Sequence, residues 1–169
     1  MNAARAGALW VFGVVLGACA VPAASERFQA QLPDRASFAP IAHMLERHCG
    51  TLDCHGQVGR NLRVYGNEGL RLSETDRPLM PACTTDDEID QDYEAVVGLE
   101  PELMSTVIME GGAQPERLTL VRKARGTEHH KGGAVINDAD DADRCLTSWL
   151  AGATDSDACR RAVPKSDCP

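Results

Sequence analysis

The feature that most constrains this chain is a short stretch, residues 48–56, that brings two cysteines and a histidine close together. Cys49 and Cys54 are separated by four residues, and His55 follows the second cysteine directly. Covalent attachment of haem requires two thiols that reach the vinyl groups along one porphyrin edge, and a histidine beneath the iron. The usual spacing is C-x2-C-H, and C-x4-C-H is a longer variant. We therefore interpret Cys49 and Cys54 as the attachment residues of one haem c and His55 as an axial ligand.

Two other interpretations of this stretch stay open. Cysteines of exported proteins commonly pair, so Cys49 and Cys54 can close a small disulfide loop in which His55 is an incidental polar residue. A zinc site can be built from the two cysteines with His48 or His55, but no second C-x2-C or H-x3-H pair completes four ligands. Either alternative leaves the chain without haem.

The N-terminus predicts export and a lipid anchor. Arg5 is followed by an apolar run over residues 6–17, which is shorter than the roughly 20 residues that a membrane-spanning helix needs. The run ends in Leu-Gly-Ala-Cys at residues 16–19, which resembles the lipobox of bacterial lipoproteins. The resemblance implies removal of residues 1–18 as a signal peptide and lipidation of Cys19. An ordinary secretory signal that leaves Cys19 as a thiol is the alternative.

Residues 19–36 mix small residues, polar residues and proline without a helical period, and they are predicted to tether the domain to the lipid. These features together predict a location in the cell envelope, with the domain facing the periplasm. Ala20 follows the lipidated cysteine at the position where inner-membrane lipoproteins of enteric bacteria carry aspartate. The outer membrane is therefore favoured over the inner one.

Charge and composition narrow the functional class. The chain of 169 residues carries a formal net charge of −8, which makes nucleic acid and anionic lipid poor candidates as binding partners. Basic partner proteins stay possible. Aromatic residues make up only 4% of the chain, and an inserted porphyrin would add apolar surface to the core, although Leu and Val can also fill it.

Hydrophobic periodicity predicts a mainly α domain over residues 37–153. Ser37 is predicted as the N-cap of a first helix, whose apolar residues Phe38, Ile41 and Leu45 share one face and lead into the cysteine–histidine stretch. Glycines at 56, 59, 66 and 69 then predict a loop that bends often while it covers an apolar group. Further helices are predicted from the capping box Thr85-x-x-Glu88 to Gly98, from Pro101 to Gly111 and Gly112, and around Trp149 after an N-cap at Asp138.

Three blocks of the chain resemble a known family. Cys-His-Gly at residues 54–56 is followed by Gly-Leu-Arg-Leu at residues 69–72. Residues 122–133 contain an Arg-Lys pair and His-x-Gly-Gly, and residues 145–153 contain Trp-Leu followed by a glycine. These blocks lie within residues 38–153 and resemble the cytochrome-c-like domain of planctomycete cytochrome C and of similar haem-binding lipoproteins of myxobacteria.

The resemblance implies a cytochrome-c-like helical domain with long Gly-rich loops around one covalent haem c. It also implies a sixth iron ligand, His130, because this residue is the histidine of His-x-Gly-Gly. Other residues that could bind the iron at this position are His129, Met80, Met104 and Met109.

Four cysteines lie outside the haem stretch and the lipobox: Cys83, Cys145, Cys159 and Cys168. They allow two disulfides with three possible connectivities, and Cys145 can pair with Cys83 or with a cysteine of the polar tail at residues 154–169. The leading hypothesis is a membrane-anchored c-type cytochrome, not an enzyme, that exchanges one electron with redox partner proteins. The alternative is a haem-free, disulfide-stapled envelope lipoprotein with a binding or structural role.

Overall fold

The computed structural model describes residues 28–74 and 83–163, and this part of the chain contains helices and no strand. The mainly α prediction is confirmed. Two 3-10 turns, Arg35–Ser37 and Pro115–Arg117, and two isolated β-bridges complete the regular structure. The helices are α1 (Ala39–Cys49), α2 (Asp86–Val97), α3 (Pro101–Met109), α4 (Thr119–Ala124), α5 (Asp141–Leu150) and α6 (Ser156–Ala162).

Helix α1 presents the apolar face that the sequence predicts, with Ile41 and Leu45 buried. Its start differs from the prediction, because Ser37 belongs to the preceding 3-10 turn and Phe38 occupies the N-cap position without a side-chain hydrogen bond. The carboxylate of Asp34 caps the 3-10 turn instead, accepting a hydrogen bond from the backbone N–H of Ala36 at 3.1 Å. The chain therefore enters α1 through a short preformed turn.

The capping box of α2 forms as predicted. The Thr85 hydroxyl accepts from the backbone N–H of Glu88 at 3.2 Å, and the Glu88 carboxylate accepts from the backbone N–H of Thr85 at 2.9 Å. Glu88 is also fully buried and binds the Arg71 guanidinium at 2.7 Å. Because a buried charge requires a partner, this pair fixes the end of the Gly-rich loop on α2.

Three aromatic rings form the centre of the core. Phe38 lies 5.0 Å from Trp149 and 5.4 Å from Tyr93, measured between ring centroids, so that α1, α2 and α5 meet there. The polar atoms of two rings are also satisfied, because the Tyr93 hydroxyl donates to the carbonyl of Pro33 and the Trp149 indole donates to that of Asp34, both at 2.9 Å. Residues 33 and 34, which the sequence assigns to the tether, thus contact the core.

Helix α5 begins after Asp140, whose carboxylate accepts from the backbone N–H of Asp143 at 2.8 Å. The predicted N-cap, Asp138, is exposed and binds Arg125 instead. Within the region predicted as a polar tail, residues 156–162 form α6, which packs against α5 and α1. A disulfide joins Cys145 of α5 to Cys159 of α6, so the cysteine of the tail is the partner of Cys145.

The carboxylate of Asp92, on α2, is buried, and only one of its two oxygens accepts a hydrogen bond within the described residues. Its Oδ1 accepts from the backbone N–H of Tyr65 at 2.7 Å, and its Oδ2 has no hydrogen-bond partner in residues 28–74 and 83–163. Burial, together with the negative charges of Glu46 and Glu88, raises the pKa of Asp92 to about 8. Asp92 is therefore protonated over most of the acidic and neutral range.

Replacing Asp92 by Asn should make the protein more stable than wild type as the pH rises. In the unfolded chain Asp92 ionises near pH ~4, whereas the folded protein keeps its proton up to about pH 8, so wild type loses stability between these values. The difference in unfolding free energy between variant and wild type should grow by about 2–4 kcal/mol over this range. Urea unfolding at several pH values measures it. Glu94→Gln, on the exposed side of α2, should show no such growth, and a pH-independent difference for Asp92→Asn would contradict the assignment.

Candidate functional site

The cysteine–histidine stretch is a compact loop at the C-terminal end of α1. Cys49 is the last residue of the helix. The backbone N–H of His55 donates to the carbonyl of Cys49 at 2.9 Å, and those of Cys54 and Gly56 donate to the carbonyl of Thr51 at 2.9 and 3.0 Å. The loop therefore folds back onto the helix end, so that both cysteines and the histidine are held on one short, hydrogen-bonded segment.

Both cysteines of the loop are free thiols. Cys49 is buried, and burial raises the pKa of its thiol to about 12, so that the thiol keeps its proton at neutral pH. Cys54 is half-buried. The disulfide between these two cysteines, which the sequence left open, is not formed, although Cys145 and Cys159 are joined in the same structure.

The half-buried imidazole of His55 is oriented by a backbone carbonyl. Its Nδ1 lies 2.9 Å from the carbonyl oxygen of Leu62. Burial lowers the pKa of His55, and the nearby positive charges of Arg60 and Lys123 act in the same direction. The neutral ring that results donates its proton from Nδ1 to Leu62, which leaves the lone pair on Nε2. A metal-binding histidine is typically held in this way.

The structure brings His130 next to His55, although 75 positions separate them in the sequence. The two rings are nearly parallel, at 20°, and their centroids are 5.9 Å apart. Two imidazoles that bind one metal ion from opposite sides, at metal–nitrogen distances of about 2.0 Å, have centroids about 6 Å apart. Nδ1 of His130 lies 3.2 Å from the carbonyl oxygen of Gly133, and Nε2 of this ring has no hydrogen-bond partner among the described residues.

The loop that carries His130 is fixed at its base by three contacts. The carbonyl of Ala124, at the end of α4, accepts from the backbone N–H groups of Val135 and Ile136 at 2.9 and 3.1 Å. Arg125 binds the buried carboxylate of Asp143 on α5 at 2.7 Å. The His48 ring, on α1, lies 3.2 Å from the carbonyl oxygen of Val135 and 3.0 Å from that of Ala162. The last contact joins this loop to the helix that leads into the cysteine–histidine stretch.

The other candidate ligands do not lie beside His55 in the described structure. His129 is exposed, Met104 is buried in the hydrophobic core, and Met109 is exposed at the end of α3. Met80 and the predicted lipidation residue Cys19 lie outside the described residues. Both nitrogens of His48 face carbonyl oxygens, and no three His, Cys, Asp or Glu residues of the described chain are grouped so as to hold a metal ion.

Glycines allow the Gly-rich loop to pack directly on the cysteine–histidine stretch. A Cβ on Gly56 would lie 2.0 Å from the carbonyl oxygen of Gly50, and a Cβ on Gly69 would lie 1.9 Å from the same atom. Gly69 also forms a β-bridge with Thr51. Both distances are far below contact, so no other residue fits at either position without movement of the backbone.

Two apolar side chains near the site are left in solvent. Leu52, between the two cysteines, is 62% exposed, and Val58, shortly after His55, is 71% exposed. Isolated exposed apolar residues are common, but these two belong to the same loop as the two thiols. Their exposure leaves apolar surface next to the cysteine–histidine stretch that a bound group or partner can cover.

Sequence reasoning did not identify the two carbonyls that orient the histidines. Gly133 lies three residues after His130, a spacing that is visible in the sequence once the loop is known to turn there. The carbonyl of Leu62 could not be found from the sequence, because every residue type presents the same backbone carbonyl. Among the described residues, no helix is long and apolar enough to span a membrane. Comparison of the chain with protein-family models, curated proteins and solved structures found no match.

Replacing Gly69 by Ala should destabilise the protein by about 1–3 kcal/mol, because the added methyl group would overlap the carbonyl of Gly50. Gly59→Ala is the matched control. It lies in the same loop, and a Cβ there meets no atom within 4 Å, so its unfolding free energy should change by less than about 0.5 kcal/mol. Chemical denaturation of both variants measures the difference. Equal stability of the two variants would show that the loop does not pack on Gly50.

Proposed function

We propose that this chain is a c-type cytochrome that binds one haem covalently and carries one electron in the cell envelope. The observation that carries the proposal is the pair of imidazoles, His55 and His130, with centroids 5.9 Å apart and planes nearly parallel. They lie beside two thiols that are not joined to each other. Two thiols next to one histidine, with the ring of a second histidine near the first, are the residue types that a covalently attached six-coordinate haem requires.

The roles of the two cysteines follow from their positions. Cys49 ends a buried helix and is fixed in place, whereas Cys54 lies in the loop and is half-buried. Each thiol would add across one vinyl group of the porphyrin, so that a sulfur–carbon bond forms and the thiol proton moves to the neighbouring carbon. The Cys49 thiol, which keeps its proton at neutral pH, would supply the hydrogen that this addition requires.

The roles of the two histidines follow from their hydrogen bonds. The carbonyls of Leu62 and Gly133 hold the Nδ1 atoms, so each ring would bind iron through Nε2. The backbone at Gly132 lies close to the His130 ring, since a Cβ there would be 3.2 Å from the ring carbon Cε1. The small residue thus lets the loop support the ring directly.

Filled axial positions favour electron transfer over catalysis. When bound, haem supplies an iron that alternates between the ferrous and ferric states, and two protein ligands leave no position for a substrate. The contacts at the base of the His130 loop, from Ala124, Arg125 and His48, limit movement of this ligand between the two states. Small geometric change on transfer of one electron is what such a carrier requires.

The location and partners of the proposed cytochrome rest on the N-terminal sequence. Lipidation at Cys19 would hold the domain at the membrane surface, with residues 19–36 as the connecting segment. The outer membrane is favoured because Ala20 replaces the aspartate of inner-membrane retention. Redox proteins of the envelope would then be its partners.

One observation favours the haem-free alternative. The disulfide Cys145–Cys159 joins α5 to α6 and stabilises the fold without any cofactor. Together with the core around Trp149, it is compatible with an envelope lipoprotein that has a binding or structural role. Covalent haem separates the two proposals directly.

Mass spectrometry of the protein made in a host with a haem-attachment system should show one haem added to the mature chain. Cys49→Ala/Cys54→Ala should remove it, because no thioether can then form. Cys145→Ala/Cys159→Ala is the matched control, since it removes two cysteines from another part of the fold and should keep the haem. A wild-type chain mass without haem from a competent host would reject the proposal in favour of the haem-free lipoprotein.

Replacing His130 by Ala should open one axial position of the iron. The reduced variant should then bind carbon monoxide, which reduced wild type should exclude, and the oxidised spectrum should change with it. His129→Ala, at the exposed neighbouring position, should behave as wild type. If wild type instead shows a sulfur-to-iron charge-transfer band that Met80→Ala abolishes and His130→Ala leaves intact, Met80 is the ligand.

A further inference from the structure

Most lysines and arginines of the described chain pair with a carboxylate, and those that do not are grouped together. Among residues 28–74 and 83–163, every lysine and arginine forms an ion pair with a carboxylate except three. The exceptions are Arg60, Arg63 and Lys131, none of which has a carboxylate partner in the described structure. A cation without a counter-charge contributes its full field to the surface around it.

All three unpaired cations lie at the proposed haem site. The Arg60 guanidinium donates to the carbonyl of Cys54 at 2.9 Å, and its charge acts on His55. Arg63 is exposed and lies between Leu62 and Val64, whose backbones both hydrogen-bond to His55. Lys131 is exposed and follows His130 directly.

Few negatively charged side chains lie at this surface. Asp53 is exposed in the same loop, and Glu128 is already bound to Arg122 and Lys123 at 2.8 and 3.5 Å. Away from the site the chain is acidic, with a net charge of −8 overall and exposed carboxylates such as Asp86 at the start of α2. The site is thus a cationic region on an acidic protein.

Apolar side chains complete this surface. Leu52 and Val58 are 62% and 71% exposed, and both belong to the loop that carries Asp53 and leads to Arg60. Exposed apolar residues surrounded by charges are typical of protein interaction sites. Transient redox complexes bury little surface, so a few cations around two apolar side chains suffice for a partner that must leave quickly.

We propose that Arg60, Arg63 and Lys131, with the exposed side chains of Leu52 and Val58, form a docking surface for the acidic face of a redox partner protein. The proposal rests on the proposed function, because the partner would take its electron from a haem held by Cys49, Cys54, His55 and His130, beside these residues. Surfaces that recognise anionic bilayers typically carry clusters of about four to eight lysines and arginines. Three cations on an acidic chain therefore fit a protein partner better than a membrane.

The first test measures electron transfer from the reduced, haem-loaded protein to hexacyanoferrate(III), a small anion, by stopped flow. The ferrous iron would lose one electron and the reagent would gain it. If the local charge governs encounter, the rate should fall as ionic strength rises, because salt screens attraction. If the net charge of −8 governs encounter, the rate should rise with salt, and the proposal would be wrong.

Two matched variants test whether the salt-dependent rate of electron transfer comes from this surface. Arg63→Gln/Lys131→Gln should lower the rate at low salt by about 5-fold or more, with the haem spectrum unchanged. Arg35→Gln/Arg160→Gln removes the same charge from exposed arginines elsewhere, of which Arg35 precedes α1 at the end opposite Cys49. Its rate should change by less than about 2-fold, since distant charges are screened. Equal losses in the two variants would overturn the assignment.

A binding assay tests the class of partner independently of haem. A fluorescent polyglutamate peptide should bind the chain at low salt, and Arg63→Gln/Lys131→Gln should weaken binding whether or not haem is attached. Vesicles of phosphatidylglycerol should not co-sediment with the Cys19→Ser form of the chain, which cannot carry the proposed lipid anchor. Binding of the vesicles but not of the peptide, through the same two residues, would replace the acidic protein by a membrane surface. Peptide binding by a chain that never acquires haem would leave this surface intact and reject the proposed function.

Discussion

The candidate site depends on one contact, in which the ring of His48 meets the backbone of two distant segments. His48 lies one residue before Cys49, and its nitrogens are 3.2 and 3.0 Å from the carbonyl oxygens of Val135 and Ala162. This ring therefore joins the helix that leads into the cysteine–histidine stretch to the loop after His130 and to the end of α6. Together with the contacts of Ala124 and Arg125 at the base of the His130 loop, this connection keeps the ring centroids of His55 and His130 5.9 Å apart. The aromatic core and the disulfide between α5 and α6 hold α1, the loop after His130 and the end of α6 close enough for the His48 ring to contact the last two.

Charged side chains are arranged differently in the interior of this protein and at the candidate site. In the interior, carboxylates are buried with partners, as Glu88 is with Arg71 and Asp143 is with Arg125. Asp92 has no cationic partner, and it keeps its proton instead. At the site, Arg60, Arg63 and Lys131 have no carboxylate partner within the described residues. The net charge of the chain suggested basic partner proteins, whereas the arrangement of ion pairs favours an acidic one at this surface, because charges beyond a Debye length of about 8 Å contribute little.

Local signals in the sequence predicted the helices well and the long-range contacts poorly. The capping box at Thr85 and the buried face of α1 follow from short-range chemistry, and both are present. Helix α6 has a polar composition and seven residues, and so short a helix is stabilised by packing and by the bond to Cys145 rather than by its own propensity. No periodicity relates residue 55 to residue 130. The choice of His130 came from a family resemblance, and its position beside His55 is a property of the folded chain alone.

The central claim is that two imidazoles bind one iron in this protein, and X-ray absorption at the iron edge of the purified oxidised protein tests it most directly. The account predicts a first shell of nitrogen alone at about 2.0 Å, with the outer-shell scattering of two imidazole rings. A sulfur atom at about 2.3 Å, or a shell with only one imidazole, would contradict it.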